Sequence, residues 1–426
     1  MPSPKLSLTR RLSRMLILSL AFAAATLSLS FVSQAQTETI IYSVPSQRDG
    51  GMSEGLVLDP TGNLYGTTPY GGASQFGCGS VFELSPVAGG GWQEKTLHGF
   101  NCSDGYLPFA GLAIDSAGNL YGTTESGGTA GGGTVFELSP VAGGSWHFTG
   151  LHGFSGGADG GDLIGGVVLD SSGNLYGTTA SGGAHGEGTI FKLTPIAGGG
   201  WHFATLHSFE SGPGGRISRA GLTIDSAGNL YGTTEVGGIS AACGGGGCGV
   251  VFELSPVSGG GWHYSVLHAF NQADGAYPVA GVTLDAAGNV YGTTQGGGSG
   301  TYYCNFYGCG VVFKLSPLAG GVWHETLIHS FSGNLDGAYP TAAVTLDALG
   351  NVYGTTNFGG DGAGLVFEFS PISGGGWPQT ILHNFTGRPD GNVPVGPVIF
   401  DPSGNLYGIT QEGGTNNHGA IYEITP

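Results

Sequence analysis

Short apolar and β-branched runs recur along the chain after residue 35, separated by turns rich in glycine, asparagine and proline. One repeat shows the first three runs as Gly111–Asp115, Leu120–Thr124 and Thr134–Ser139, and the fourth run is clear at Trp201–Phe209. None of them has the 3.6-residue apolar period and the caps of a helix. The pattern predicts four short β-strands in each repeat and essentially no helix.

A ten-residue block, D-x-x-G-N-[LV]-Y-G-[TI]-T, sets the period of this pattern. Its seven copies begin at Asp59, Asp115, Asp170, Asp225, Asp285, Asp347 and Asp401, in steps of 54 to 62 residues. A long period of this kind indicates a repeat architecture. Seven units of four strands predict an all-β fold, a seven-bladed β-propeller of four-stranded antiparallel blades.

The seventh unit lacks a fourth strand, because it reaches Pro426 directly after its third apolar run. The segment Glu38–Asp49 aligns without gaps with Glu325–Asp336, which contains a fourth strand. We therefore expect the N-terminal strand to pair into the last blade and close the ring, an arrangement that a linear β-solenoid would not need. Deletion of residues 36–48 should then lower the melting temperature sharply.

The first 35 residues have the features of an export signal. Four cations (Lys5, Arg10, Arg11 and Arg14) precede an apolar run over residues 15–32, and Ser33-Gln34-Ala35 offers small residues for cleavage. A membrane anchor is the alternative, since 18 apolar residues nearly suffice to span a bilayer. Cleavage would leave a single domain, residues 36–426, in a secreted protein or one of the periplasm or cell envelope.

The charge of that domain excludes two classes of partner. Residues 36–426 carry 7 Lys and Arg against 29 Asp and Glu, a net charge of −22. Such a surface repels nucleic acid and anionic membranes. We expect a monomer that contacts no membrane after signal cleavage and has a carbohydrate or protein ligand.

Several motifs of the repeat are shared with a known group of proteins. GNLYGTT, G-x-VFELSP and LHxF recur from about Thr37 to Pro426 and resemble the tandem repeats of exported bacterial proteins called choice-of-anchor GloVer-containing proteins. The first two strands are also similar to those of NHL and SMP-30-type propellers. The resemblance implies export and often a C-terminal anchor, and it assigns no activity.

The two faces of the predicted propeller differ in sequence. The one–two and three–four turns, DxxGN and SPxxGGxW, hardly vary, and they define what we call the uniform face. The two–three loops and the four–one connections vary in length and content, and they define the variable face, where we expect function. All six cysteines belong to the variable face. Their positions predict the disulfides Cys78–Cys102, Cys243–Cys248 and Cys304–Cys309; metal binding by the C-x-x-x-x-C pairs is the alternative.

Aromatic residues on the variable face are candidates for ligand contact. One two–three loop contains Tyr302, Tyr303, Phe306 and Tyr307, which could stack on sugar rings, anchor a protein partner, or simply pack on their own blade. Tyr106, Tyr277 and Tyr339 follow the Asp-Gly dipeptides of their repeats and could line the mouth of the central channel.

An Asp-Gly dipeptide precedes the innermost strand in six of the seven repeats. Its aspartates are Asp49, Asp104, Asp159, Asp274, Asp336 and Asp390. If these aspartates surround the channel mouth, they could hold Ca²⁺ or a cationic ligand. The alternative is that Asp-Gly simply forms a turn in each repeat. We expect that the protein requires no cofactor. Six histidines (His98, His152, His207, His268, His329 and His383) fill one repeated strand position, which indicates structural packing.

No complete catalytic constellation is visible in the sequence. Two G-x-S-x-G matches, Gly51–Gly55 and Gly153–Gly157, lack the strand-to-helix context of a nucleophile elbow. We therefore expect a non-catalytic protein that binds an extracellular ligand through its variable face. The alternatives are a metal-assisted hydrolase or lyase acting on sugars or lactones at the channel mouth, and a structural spacer of the cell envelope.

Overall fold

The computed structural model describes residues 36–45, 55–72, 77–239, 241–300, 304 and 308–426. Every regular element in this part of the chain is a β-strand, as predicted. Accordingly, none of the described residues belongs to a helix long and apolar enough to cross a membrane. Residues 1–35, where a leader is predicted, and Asp49 lie outside the described residues.

Seven four-stranded antiparallel sheets form the blades. The first blade contains β2 (Val57–Leu58), β3 (Leu64–Thr68), β4 (Ser80–Pro86) and β5 (Trp92–Gly99). The second contains β6 (Ala113–Ile114), β7 (Leu120–Thr124), β8 (Thr134–Val141) and β9 (Ser145–Gly153). The third contains β10 (Val168–Leu169), β11 (Leu175–Thr179), β12 (Thr189–Pro195) and β13 (Trp201–Ser208).

The next three blades repeat this order. The fourth contains β14 (Thr223–Ile224), β15 (Leu230–Thr234), β16 (Val250–Pro256) and β17 (Trp262–Ala269). The fifth contains β18 (Thr283–Leu284), β19 (Val290–Thr294), β20 (Val311–Pro317) and β21 (Trp323–Ser330). The sixth contains β22 (Thr345–Leu346), β23 (Val352–Thr356), β24 (Leu365–Phe369) and β25 (Gln379–Asn384).

The seventh blade joins the two ends of the described chain. It contains β26 (Gly391–Phe400), β27 (Leu406–Gly413), β28 (Ala420–Thr425) and, as its outermost strand, β1 (Thr37–Ser43). Strand β1 runs antiparallel to β28, with Thr37 opposite Thr425 and Ser43 opposite Ala420. The prediction that the N-terminal strand closes the ring is therefore confirmed.

Threonines of the repeated block tie neighbouring blades together. All five residues of Leu120–Thr124 are buried, and the hydroxyl of Thr123 donates to the carbonyl of Gly165 in the next blade at 3.0 Å. Thr67 and Thr178 donate to Ala110 and Ala220 in the same way, at 3.0 and 2.8 Å. A buried hydroxyl needs such a partner, so contact between blades explains the first threonine of the G-T-T triplet. The second donates within its own loop, as Thr124 does to the Ser126 carbonyl at 3.1 Å.

The core lies between the blades and is rich in aromatic rings. In several blades the tyrosine of the second strand meets the tryptophan of the next outermost strand edge to face, as in Tyr121 and Trp201, with ring centroids 6.4 Å apart. Tyr407 of the last blade meets Trp92 of the first at 6.1 Å, so the same contact crosses the point of closure. The repeated tyrosine therefore fills the gap between neighbouring blades.

Candidate functional site

The aspartates of the repeated block act as turn formers on the uniform face. Oδ1 of Asp115 accepts hydrogen bonds from the backbone N–H groups of Ala117 and Asn119 at 2.9 Å. Its Oδ2 accepts from the Asn119 amide at 2.9 Å and from the Tyr121 hydroxyl at 3.1 Å. Partial burial opposes ionisation, but these donors prevail and lower the pKa of Asp115. The carboxylate is committed to its own hairpin, so we do not assign it to a binding site.

On the variable face, the four–one connections that lead into the second and later blades, all within the described residues, are joined to the two–three loop of the blade that follows them by backbone hydrogen bonds. Tyr106 and Ser126 exchange N–H···O bonds at 2.8 and 3.1 Å, and Ala276 pairs with Gly296 in the same way. The variable loops therefore rest on a hydrogen-bonded framework rather than on isolated hairpins.

Disulfides add to this framework. The three predicted pairs, Cys78–Cys102, Cys243–Cys248 and Cys304–Cys309, are all formed, with Cα atoms 5.4, 5.2 and 5.1 Å apart. Cys78–Cys102 links a two–three loop to the next four–one connection, whereas the other two close short loops. The pairing excludes these cysteines as thiolate metal ligands.

The central channel has a cavity of about 550 Å³. Residues at or just before the innermost strands, such as Gly111, Val167, Ala280 and Val344, line it, and Arg219 is the one charged side chain among the described residues at its wall. A wall of this composition offers few groups for acid–base or metal chemistry.

Tyr106, Tyr277 and Tyr339 do not belong to the residues that line this channel. They are partly buried and pack against the core between blades, and Tyr339 also meets Phe358 edge to face at 6.0 Å. The four aromatic candidates at 302, 303, 306 and 307 lie outside the described residues.

The Asp-Gly aspartates also lie elsewhere than expected: the structure places none of the five described ones among the residues that line the channel. Each instead faces the repeated histidine of the preceding outermost strand. The histidine Nε2 to carboxylate distances are 3.2 Å for His98–Asp104, 3.5 Å for His152–Asp159, 3.4 Å for His268–Asp274, 3.1 Å for His329–Asp336 and 3.2 Å for His383–Asp390. The connection turns back on its own strand, since Asp336 also accepts from the Ser332 backbone N–H at 2.9 Å.

A third side chain, contributed by the next blade, lies beside each His–Asp pair, and a side chain at the same position meets His207, whose connection lacks Asp-Gly. It is the residue two positions after the repeated tryptophan of that blade, except in the last blade, where Glu38 follows Gln36. In the first three such contacts it is aromatic: Phe148, Phe203 and Tyr264 stack on His98, His152 and His207 with ring centroids 4.2 to 4.3 Å apart. Packing of these histidines is therefore as the sequence indicated.

Two of these contacts have a glutamate in place of the ring. Glu325 Oε2 lies 3.7 Å from His268 Nε2, beside Asp274. Glu38 of β1 lies beside His383 and Asp390, with one ligand atom from each of the three residues within 4.8 Å of the others. We call these the His268 cluster (His268, Asp274 and Glu325) and the His383 cluster (His383, Asp390 and Glu38).

The pKa values reflect the different third side chains. Burial lowers the pKa of His98 despite the neighbouring Asp104 carboxylate. Burial also acts against the charged form of His268, but Asp274 and Glu325 outweigh it and raise its pKa. Burial raises the pKa of Glu325 to about 7, with Asp274 adding to the effect and His268 opposing it. The His268 cluster is thus a concentrated, partly buried acidic site.

Glu38 and Glu325 are not among the site residues predicted from the sequence. The signal was present, however, because the gapless alignment of residues 38–49 with 325–336 places the two glutamates at the same repeat position. Only the contact between blades shows that each one meets the histidine of the preceding repeat.

A groove opens on the variable face of the fourth blade. It is about 300 Å³ in volume and lies between the connection Ser211–Arg216 and the loop that Cys243–Cys248 closes. The arginine groove, as we name it, is lined by Ser211, Gly212, Arg216, Gly238, Ile239, Ala241, Gly245, Gly246 and Gly247. It occurs in the repeat whose connection has Ser211-Gly-Pro-Gly-Gly in place of Asp-Gly.

Polar and apolar groups meet in the arginine groove. The guanidinium of Arg216 pairs with Glu187 at 3.2 Å, and the hydroxyl of Ser211 donates to the same carboxylate. Ile239 at the edge is 86% exposed. Glycine backbone forms most of the remaining wall, so N–H and C=O groups can approach a ligand closely.

The protein is a seven-bladed β-propeller, because seven blades of four antiparallel strands form a ring that the N-terminal strand closes. The model of the Gloeobacter/Verrucomicrobia repeat family matches residues 27–245 and 238–426, and the chain belongs to that family. The resemblance seen in the repeated motifs is thereby confirmed.

Comparison with other proteins adds little about function. No curated protein matches the chain. A solved protein of unknown function from Dyadobacter fermentans DSM 18053 is 12% identical, with a TM-score of 0.47 over 92% of this chain and 100% of its own. That likeness is too distant to carry an argument.

Proposed function

We propose that this propeller is a non-catalytic binding protein located outside the cytoplasm, and that it holds a neutral carbohydrate in the arginine groove. The proposal is carried by one observation: a concave site on the variable face that combines a paired guanidinium, a glycine-rich wall and an apolar edge. Disulfides form in oxidising compartments, which supports the location.

The chemistry of the arginine groove suits sugar hydroxyls. Arg216 presents several N–H donors in a fixed plane, and the Glu187 carboxylate beside it accepts hydrogen bonds. Ile239 offers an apolar surface to the C–H face of a sugar ring. A volume of about 300 Å³ is at the lower end of small-ligand sites and favours a short saccharide.

The negative charge of the domain restricts the class of glycan that we expect it to bind. With a net charge of −22 over residues 36–426, the surface repels sulfated or uronic-acid glycans. The single ion pair in the groove is internally balanced, so it does not create a site for an anion. A neutral glycan therefore meets the least electrostatic resistance.

A glycan array probed with the labelled protein tests this proposal, followed by titration of the best ligand. Arg216→Gln should weaken binding roughly 10-fold or more, because a hydrogen bond to a charged group contributes about 1.5–3 kcal/mol. Arg219→Gln is the matched control, since it removes a similar pair with Glu235 at the channel and leaves the groove lining intact.

Equal affinity of the two variants, or no glycan binding by the wild type, would contradict the proposal. In the same assay, the Tyr302→Ala/Tyr303→Ala double variant measures what the aromatic loop contributes. If this variant loses binding and Arg216→Gln does not, the ligand binds at the aromatic loop and not in the arginine groove.

A further inference from the structure

Two contacts between blades bring together side chains of the kind that bind transition-metal ions. We propose that the His268 cluster and the His383 cluster each bind one divalent metal ion, of which Zn²⁺ is the best fit. Each ion would fasten one blade to the next. These sites lie apart from the arginine groove and do not depend on the function proposed for it.

Two distances in the His268 cluster are close to those between neighbouring ligands of a metal site. His268 Nε2 lies 3.4 Å from Asp274 Oδ2 and 3.7 Å from Glu325 Oε2. Zn²⁺ binds imidazole nitrogen and carboxylate oxygen at about 2.0–2.2 Å, so neighbouring ligand atoms of a tetrahedral site lie about 3.3–3.6 Å apart. Small side-chain movements would therefore complete the coordination.

Each cluster contains a buried carboxylate oxygen that lacks a hydrogen-bond donor. Glu325 Oε1 and Glu38 Oε1 are fully buried and accept no hydrogen bond within the described part of the chain. A buried carboxylate oxygen without a donor is unfavourable. The ion pairs of Lys and Arg in the described residues go to Glu83, Glu187 and Glu235 instead.

The composition of the ligands selects among metals. One imidazole and two carboxylates provide three protein ligands and a net charge of −2, which a divalent ion neutralises. Imidazole favours Zn²⁺ and its neighbours over Ca²⁺ or Mg²⁺. Three protein ligands leave a fourth position for water, and the His383 cluster borders a cleft of about 530 Å³ through which water can enter.

The equivalent contacts between the other blades can be compared with the two clusters. At the contacts between the first three blades and their successors, an aromatic ring stacks on the histidine, and the described residues form no three-ligand group there. In the contact of the fifth blade with the sixth, the third side chain is Gln379, whose amide donates to the Asp336 carbonyl at 2.9 Å. Only a carboxylate at this position creates the three-ligand arrangement.

Metal stoichiometry tests the proposal. The full chain without a polyhistidine tag is stripped with EDTA, dialysed against micromolar Zn²⁺, and analysed by mass spectrometry of the metal. We expect two ions per chain, one ion in Glu325→Gln or Glu38→Gln, and none in the double variant. His152→Gln, at a contact that has Phe203 in place of a carboxylate, is the control and should retain two ions.

A gain-of-site variant guards against effects of misfolding. Phe148→Glu places a carboxylate beside His98 and Asp104 and should raise the stoichiometry to three. Unchanged zinc content in both Gln variants, or no bound zinc in the wild type, would overturn the proposal. Loss of an ion in only one Gln variant would confine the proposal to that cluster and overturn it for the other.

Discussion

Glycine at the centre of the second strand is required for space rather than for backbone conformation. A Cβ added to Gly122 would lie 2.5 Å from Cζ of Phe136 and 2.8 Å from Cδ2 of Leu112. Phe136 is the cross-strand partner of Gly122 and is fully buried, so its ring has no room to move away. The glycine of the Y-G-T triplet is therefore needed because the Phe136 ring packs directly against the backbone at Gly122.

We predict that Gly122→Ala lowers the free energy of unfolding by about 1–3 kcal/mol, the usual cost of overpacking a core. Gly150→Ala is the matched control, because Gly150 pairs with the same Phe136 from the other side and its added Cβ meets nothing closer than 3.8 Å. Denaturant unfolding of the two variants measures the difference. If the two variants are equally stable, contact with the Phe136 ring does not exclude a side chain larger than glycine at position 122.

Residues were predictable where their partners are near in sequence. The block aspartates and the short Cys243–Cys248 pair follow from local spacing. Asp104 was expected at the channel mouth, yet it lies against His98, because the connection between them folds back on the outermost strand. The position of Glu325 in the His268 cluster could not be predicted from the sequence, since its partners belong to the preceding blade.

At the scale of elements, the DxxGN hairpin makes acid stability depend on a few carboxylates. Hydrogen bonds overcome the opposing effect of burial and lower the pKa values of Asp59, Asp115, Asp170 and Asp285. A carboxylate whose pKa is lower in the folded state stabilises that state above its unfolded pKa of about 3.9. This stabilisation is lost as the pH falls through the folded pKa.

We predict that Asp115→Asn lowers the free energy of unfolding by about 1–3 kcal/mol at neutral pH, because its amide meets the donors Asn119 and Tyr121. The difference from wild type should hold above about pH 5 and shrink below about pH 4. Unfolding followed from pH 3 to pH 7 measures it. A difference that does not change with pH would show that the charge of Asp115 is unimportant.

The elements were predictable in number and order, but their innermost strands were not predictable in length. The apolar run Gly111–Asp115 forms a strand only at Ala113–Ile114. The preceding connection takes a positive φ of 58° at Leu107 and packs across the variable face, which leaves little of the run free to pair. In the last blade the first strand extends over Gly391–Phe400.

At the scale of the molecule, closure of the ring could be predicted because the repeat is incomplete at one end of the sequence and has a spare strand at the other. The structure adds the register, in which Ile40 faces Tyr422 and Thr39 faces Glu423. It also places Glu38 of this strand in the His383 cluster. The closing strand therefore contributes both pairing and a proposed metal ligand.

The measurement that tests ring closure most directly is disulfide trapping of β1 on β28. In a Thr39→Cys/Glu423→Cys variant the new thiols should pair with each other on mild oxidation, because the six native cysteines are already bonded. The expected result is an intact mass lower by two hydrogens and no reaction with an alkylating reagent. In Thr39→Cys/Thr149→Cys, which joins positions in different blades, both thiols should stay reactive. Two reactive thiols in the first variant as well would contradict a ring closed by its N-terminal strand.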